Sequence, residues 1–245
     1  MKKTLTFALT LAMLFALCAC GAGSAAEPQE SATPENEAET VQSVEGSASA
    51  APAESAEAAP TQTADSNSKA GSRVLVVYFS RTGENYTVGT ISTGNTAIVG
   101  DLIAESVGAD VFEIVPVTPY PDSYDECLEV ATQEQRSNAR PAYVGEVEGW
   151  ADYDTVFFGY PIWWGDMPMI AYTFLESHDF TGKTVIPFNT HEGSGQSGTQ
   201  RTIEKLCSGA TVIDGLAVRG NTAQNDRTGT QQAVSEWLGG MDFFG

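Results

Sequence analysis

Three short clusters in this 245-residue chain gather the residue types that do chemistry. The turn Ser80-Arg81-Thr82-Gly83-Glu84-Asn85-Tyr86 holds hydroxyls, a cation and a glycine, and Thr93-Gly94-Asn95-Thr96 repeats the recipe downstream. Side-chain hydroxyls and freed backbone N–H groups of this kind converge on an anion where a helix begins. A second cluster, Gly159-Tyr160-Pro161-Ile162-Trp163-Trp164-Gly165, sets two indoles side by side. Such a pair lines a planar ligand, or turns one ring into the core. The third, Asn189-Thr190-His191-Glu192-Gly193-Ser194-Gly195, joins glycine-freed N–H groups to one of the two His of the chain. His191 beside Glu192 can exchange a proton near neutral pH, or can be an ordinary loop histidine. His178 sits late on a helix and reads as structural.

Each cluster follows a run that reads as a strand. Arg73 to Phe79 is almost continuously apolar and β-branched, as suits a strand covered on both faces. After Gly94 the period changes to that of a helix, with Ile98, Val99, Leu102 and Ile103 on one face and Gly108 as the stop. Further strands are expected at 109–115, 154–160, 184–189 and 211–218, the last interrupted by Gly215. Helices are expected at 120–135, from Asp166 with Pro168 just inside, at 200–207 and at 230–238, and an irregular stretch at 138–150. Alternating strands and helices predict an α/β fold, a doubly wound five-stranded parallel sheet with ligands beyond the carboxyl ends of its strands.

The loop order then resembles that of flavodoxins. Ser80, Thr82 and Gly83 match the first half of the flavodoxin phosphate loop, in which a hydroxyl residue, any residue, Thr, Gly, any residue and Thr succeed one another. Asn85 stands where the last Thr is expected, and an insertion from Tyr86 to Ser92 precedes Thr93-Gly94-Asn95-Thr96. Thr96 is therefore expected to supply the missing hydroxyl; if the insertion folds away, Asn85 and Tyr86 become the binding groups. The resemblance implies FMN as cofactor. Ser80, Arg81, Thr82, Gly83, Asn85, Tyr86, Asn95 and Thr96 would hold the phosphate end. Pro161, Ile162, Trp163, Trp164 and Gly165 would lie along the ring. Asn189, Thr190, His191, Gly193, Ser194 and Gly195 would meet its pyrimidine side, with His191 a candidate catalytic proton donor.

The first 72 residues belong to another regime. Lys2 and Lys3 precede an uncharged apolar run from Leu5 to Leu17, too short for a stable membrane span, as in an export signal. The run ends in Leu17-Cys18-Ala19-Cys20-Gly21, which resembles the lipobox of bacterial lipoproteins with Cys20 as the acylated residue. Residues 1–20 then form a lipoprotein signal peptide, residues 21–72 an acidic Ala/Glu/Ser/Pro-rich tether expected to be disordered, and residues 73–245 the flavodoxin-like domain. The implied location is the outer side of the cell membrane, held by lipid.

Charge narrows the partners. The chain carries a net charge of −20, and residues 73 to 245 hold 23 acids against nine bases. Nucleic acid is excluded as a partner, since phosphate binding rests on Lys and Arg. An acidic surface would solubilise the domain or steer it toward basic redox proteins. Cys127 and Cys207 show no metal-ligand spacing, no metal site is expected, and their pairing is left open. The reading favours an electron-transfer protein serving redox partners. The alternative is an FMN-dependent NAD(P)H:quinone-type oxidoreductase acting on small quinone-like acceptors.

Overall fold

The computed structural model describes residues 73–241. The signal segment, Cys20 and the tether lie outside the described residues, as do residues 242–245. Five main strands build the central sheet, β1 (Arg73–Tyr78), β2 (Asp110–Glu113), β3 (Tyr153–Pro161), β4 (Thr184–His191) and β5 (Leu216–Arg219), and the short strand Thr211–Val212 beside β4 is its sixth. All pair in parallel, in the spatial order β2-β1-β3-β4-β5. The chain leaves β1 toward one edge and later returns on its other side, so the strand order reverses between β1 and β3. That reversal opens the crevice in which doubly wound folds bind ligands.

The β1 sequence explains its central place. Val76 and Tyr78 point to one face, where α1 (Asn95–Val107) and α6 (Arg227–Gly239) bury Ile98, Val99, Leu102, Ile103, Val234 and Leu238. Leu75, Val77 and Phe79 point to the other, against Phe158, Ile170, Phe174 and Ile203. Burying one such side chain is worth roughly 1.5–3 kcal/mol, so the strand is pinned from both sides. The helices α2 (Tyr124–Ser137), α3 (Met169–Ser177), α4 (Thr199–Leu206) and α5 (Gly220–Asn225) complete the alternation. None of the helices among the described residues is long and apolar enough to cross a membrane.

Several elements differ from the sequence expectation, each for a local reason. The fifth strand splits: Thr211–Val212 and Leu216–Arg219 both pair with β4, and the chain between them bends at Gly215. A Cβ there would lie 2.4 Å from the Pro187 carbonyl oxygen, so only glycine lets the backbone pass so closely. The second strand ends early, because Val115–Pro116 leaves the sheet to pair antiparallel with Tyr143–Val144. Helix α3 starts at Met169 with Pro168 as its cap, three residues after the expected Asp166. Asp166 instead accepts hydrogen bonds from the Met167 N–H and the Tyr172 hydroxyl. His178 stacks on Phe174 at 4.2 Å and lies tilted against Trp150 at 4.4 Å, a packing role. Cys127 and Cys207 are both free and buried.

Candidate functional site

The insertion after β1 is itself a structural element. Gly83–Asn85 and Gly89–Ile91 pair as a small antiparallel hairpin with Tyr86 and Thr87 at its tip. The hairpin returns the chain to its starting point. A Cβ on Gly94 would sit 2.1 Å from Ser80 Oγ and 2.7 Å from the Arg81 carbonyl oxygen, so the second glycine-rich cluster folds directly onto the first. Ser80 Oγ accepts the Ala97 N–H at 3.0 Å and thereby caps α1 from a distance. The preceding N–H groups, of Asn95 and Thr96, have no intrahelical acceptor at this helix start.

Arg81 fastens the hairpin to the start of α2. Its buried guanidinium donates to the carbonyl oxygens of Glu84, Pro121, Asp122 and Ser123. No carboxylate among the described residues forms an ion pair with it, so its charge faces only carbonyl dipoles. Glu84 adds two links, its N–H donating to the Asp122 carbonyl at 2.8 Å and its carboxylate accepting the Tyr124 N–H at 3.0 Å. Tyr86 stacks on Tyr124 with ring centroids 5.9 Å apart.

An open cleft of about 180 Å³ lies beyond the carboxyl ends of β1, β3 and β4. From the expected residues it gathers Arg81, Asn85, Tyr86, Asn95, Pro161, Ile162, Trp163, Trp164, Thr190 and His191. The two indoles divide their work. Trp163 packs edge-on against Phe79 at 5.5 Å and Tyr120 at 5.1 Å, half in the core. Trp164 is 58% exposed and adopts φ +52°, a left-handed backbone that a bulky residue rarely takes. With Gly165 at φ +74° it forms the turn that Trp163 and Asp166 close by mutual backbone hydrogen bonds. Tyr86, 59% exposed, is the other large open ring of the cleft.

Other expected residues lie elsewhere. Thr96 is buried, its Oγ1 hydrogen-bonded to Thr190 Oγ1 at 2.7 Å, so its hydroxyl is committed inside the fold. Ser80 is committed to the α1 cap, and Asn189 is buried within β4. Thr82 and Gly83 line a separate shallow depression with Ser123. Gly165, Gly193, Ser194 and Gly195 lie outside the cleft lining. In their place stand Tyr124, Cys127, Leu128 and Ala131 of α2, which sequence reasoning passed over as site residues, and Glu192, read only as the neighbour of His191. All four α2 residues lie in the helix expected at 120–135, but a helical period does not say what its faces cover.

At the third loop, His191 Nδ1 accepts the Gly193 N–H at 2.9 Å. Burial, then the nearby Arg219, hold its pKa below the ordinary histidine value, with Glu192 pulling the other way. Glu192 turns its carboxylate to the Asn221 N–H at 2.7 Å. Gly220 is tight between two loops, because a Cβ there would lie 2.2 Å from Asn95 Nδ2 and 2.8 Å from Glu192 Oε1. Two buried oxygens, Asn95 Oδ1 and Asn189 Oδ1, have no hydrogen-bond partner. An orphaned amide on the cleft wall fits a ligand that completes its bonding. Open aromatic rings, a guanidinium without a carboxylate partner and a free helix N-terminus together suit a planar ring with an anionic tail.

The flavodoxin family model matches residues 73–238, and the chain belongs to the flavodoxin family. A candidate flavoprotein from Bacteroides eggerthii is 31% identical, with 69% of this chain and 97% of that one covered and a TM-score of 0.56. A candidate flavoprotein from Bacteroides uniformis is also 31% identical, with 67% and 99% covered and a TM-score of 0.54. A flavoprotein from Lactobacillus acidophilus, solved in complex with FMN, is 18% identical over 64% of this chain and 99% of that one, with a TM-score of 0.48. No curated protein matches the chain.

Proposed function

We propose that the cleft holds FMN and that the chain is an electron-transfer protein on the outer side of the cell membrane, held there by a lipid on Cys20. The observation that carries the cofactor reading is the convergence of Tyr86, Trp164 and the orphaned Asn95 amide on one crevice at the sheet's reversal point. Bound FMN supplies reversible one- and two-electron chemistry, and the protein supplies binding, orientation and electrostatics. Tyr86 and Trp164 would hold the ring, while the first N–H groups of α1 would hold the phosphate, drawn by the charge of Arg81 whose N–H groups stay on the four carbonyls. Trp163 anchors the Trp164 turn in the core against Phe79 and Tyr120. The excess of acids over bases suits basic redox proteins as partners.

The anchoring half of the proposal has its own test. In a bacterial host, full-length protein should take up a radiolabelled fatty acid and sediment with membranes. The variant Cys20→Ser should do neither, and unchanged labelling of that variant would overturn the lipid assignment.

A second reading draws on the apolar α2 wall. Cys127, Leu128 and Ala131 border the cleft opposite the loops, room of the kind that a small quinone-like acceptor would use. On that reading the holoprotein is an NAD(P)H:quinone-type oxidoreductase. Steady oxidation of NADH or NADPH with a soluble quinone and no protein partner supports it; negligible turnover with both nucleotides leaves the carrier.

A further inference from the structure

We propose that the Gly193 amide fixes the His191 ring so that its Nε2–H faces the ligand of the cleft, and that this pair makes ligand binding sensitive to pH. The inference rests on the FMN reading above.

The geometry sets the tautomer. A backbone N–H can only donate, so the 2.9 Å contact from Gly193 requires a lone pair on Nδ1. In the neutral ring the proton then sits on Nε2, the nitrogen left for the cleft that His191 lines. Protonation changes the local structure and not merely the charge. An imidazolium carries a proton on Nδ1 as well, so two donors would face each other and the contact must open. The turn can yield, since Gly193 has φ +139° and Gly195 φ +59°, conformations that glycine takes at low cost.

The surroundings favour the neutral ring. Arg219 on β5 is the register partner of His191, and Arg81 reaches the same cleft from the β1 loop. Against them stands Glu192, whose carboxylate is committed to the Asn221 N–H. Tyr86 from the hairpin, and Tyr124 and Cys127 from α2, complete the titratable groups on the cleft wall. Two cations against one engaged carboxylate disfavour a third positive charge. Protonation opens the Gly193 contact that fixes the ring, so ligand binding, which uses the fixed neutral ring, should weaken as the ring protonates.

The test uses the full-length chain and two readouts. Nitrogen-15 NMR of the FMN-free protein should show His191 protonated on Nε2, with the Gly193 amide signal moving as the ring titrates. FMN affinity, followed by flavin fluorescence from about pH 8 to about pH 5, should fall by up to about tenfold per pH unit below the His191 pKa. The second ionisation of the phosphate, near about pH 6, acts equally on wild type and His191→Gln, so the difference between them isolates the ring. His191→Gln should bind FMN with a shallower slope. A ring protonated on Nδ1, or an identical slope in the variant, would overturn the inference. Failure to bind FMN at any pH would strike the cofactor reading instead, and the tautomer with its Gly193 coupling would still decide this one.

Discussion

Thr96 and Thr190 share a buried hydrogen bond, Oγ1 to Oγ1 at 2.7 Å, that ties the first turn of α1 to the end of β4. The helix start and the strand end that frame the cleft are thus fixed to each other from inside the fold. Replacing one hydroxyl leaves the other buried and unpaired. Thr96→Val or Thr190→Val should each cost about 1–3 kcal/mol in chemical denaturation, whereas the double variant should recover most of that loss. Additive losses would show that the two side chains act separately.

Arg81 holds four carbonyl oxygens at once, and this fork geometry is specific to a guanidinium. Arg81→Lys keeps the charge but cannot reach all four. The variant should lose about 2 kcal/mol or more of stability through unpaired carbonyls. Limited proteolysis should then cut first near residues 86–88, at the tip of a hairpin no longer clamped to α2.

Trp164 combines strain with exposure. Trp164→Gly removes a left-handed aromatic residue from a turn that glycine accepts freely, and should raise stability by about 1 kcal/mol. The same change removes an open ring from the cleft. FMN affinity should fall by up to about tenfold, the worth of one aromatic contact. Opposite movements of melting temperature and affinity are the signature to measure.

Asp110 bonds the Tyr153 hydroxyl at 2.8 Å and Arg73 at 2.9 Å, and the Tyr153 bond above all holds its carboxyl below the usual range. A depressed folded pKa stabilises the protein above the unfolded pKa, and the contribution is lost as pH falls through the folded one. Stability should therefore drop on acidification in the Asp range, and Asp110→Asn should remove that part of the slope. Glu134 moves the other way, because burial raises its pKa despite the bond from Tyr120, so its protonation in acid partly offsets the loss.

The thiols should separate in a labelling experiment. Burial pushes the Cys207 thiol up to about 12, so it should react only on global unfolding. Cys127 borders the cleft and should react slowly in the folded protein, and more slowly still with FMN present. Equal protection of both thiols with and without FMN would place the ligand away from α2.

The legible part of the fold was that carried by composition along single elements. The run from Leu75 to Phe79 is apolar at every position because both faces of β1 are covered, and no tertiary knowledge is needed to read that. The three loops were likewise found from residue type and order. What escaped was direction. Thr96 looks like a phosphate ligand in one dimension, yet its hydroxyl turns inward to Thr190, a partner 94 residues away. The α2 wall escaped for the same reason, since the face bearing Leu128 and Ala131 does not announce which crevice it borders. The hairpin was visible only as an interruption, because its pairing through Gly83 and Gly89 is too short to leave a strand pattern.

The central claim is that this cleft binds FMN, and the most direct measurement is an anaerobic titration of the full-length chain with FMN, following visible absorption and tryptophan fluorescence together. The expected result is a saturable yellow complex with one FMN per chain, quenched tryptophan emission, and most of that quenching lost in Trp164→Gly. A protein that stays colourless after gel filtration, with its emission unchanged at any FMN concentration, would contradict the account.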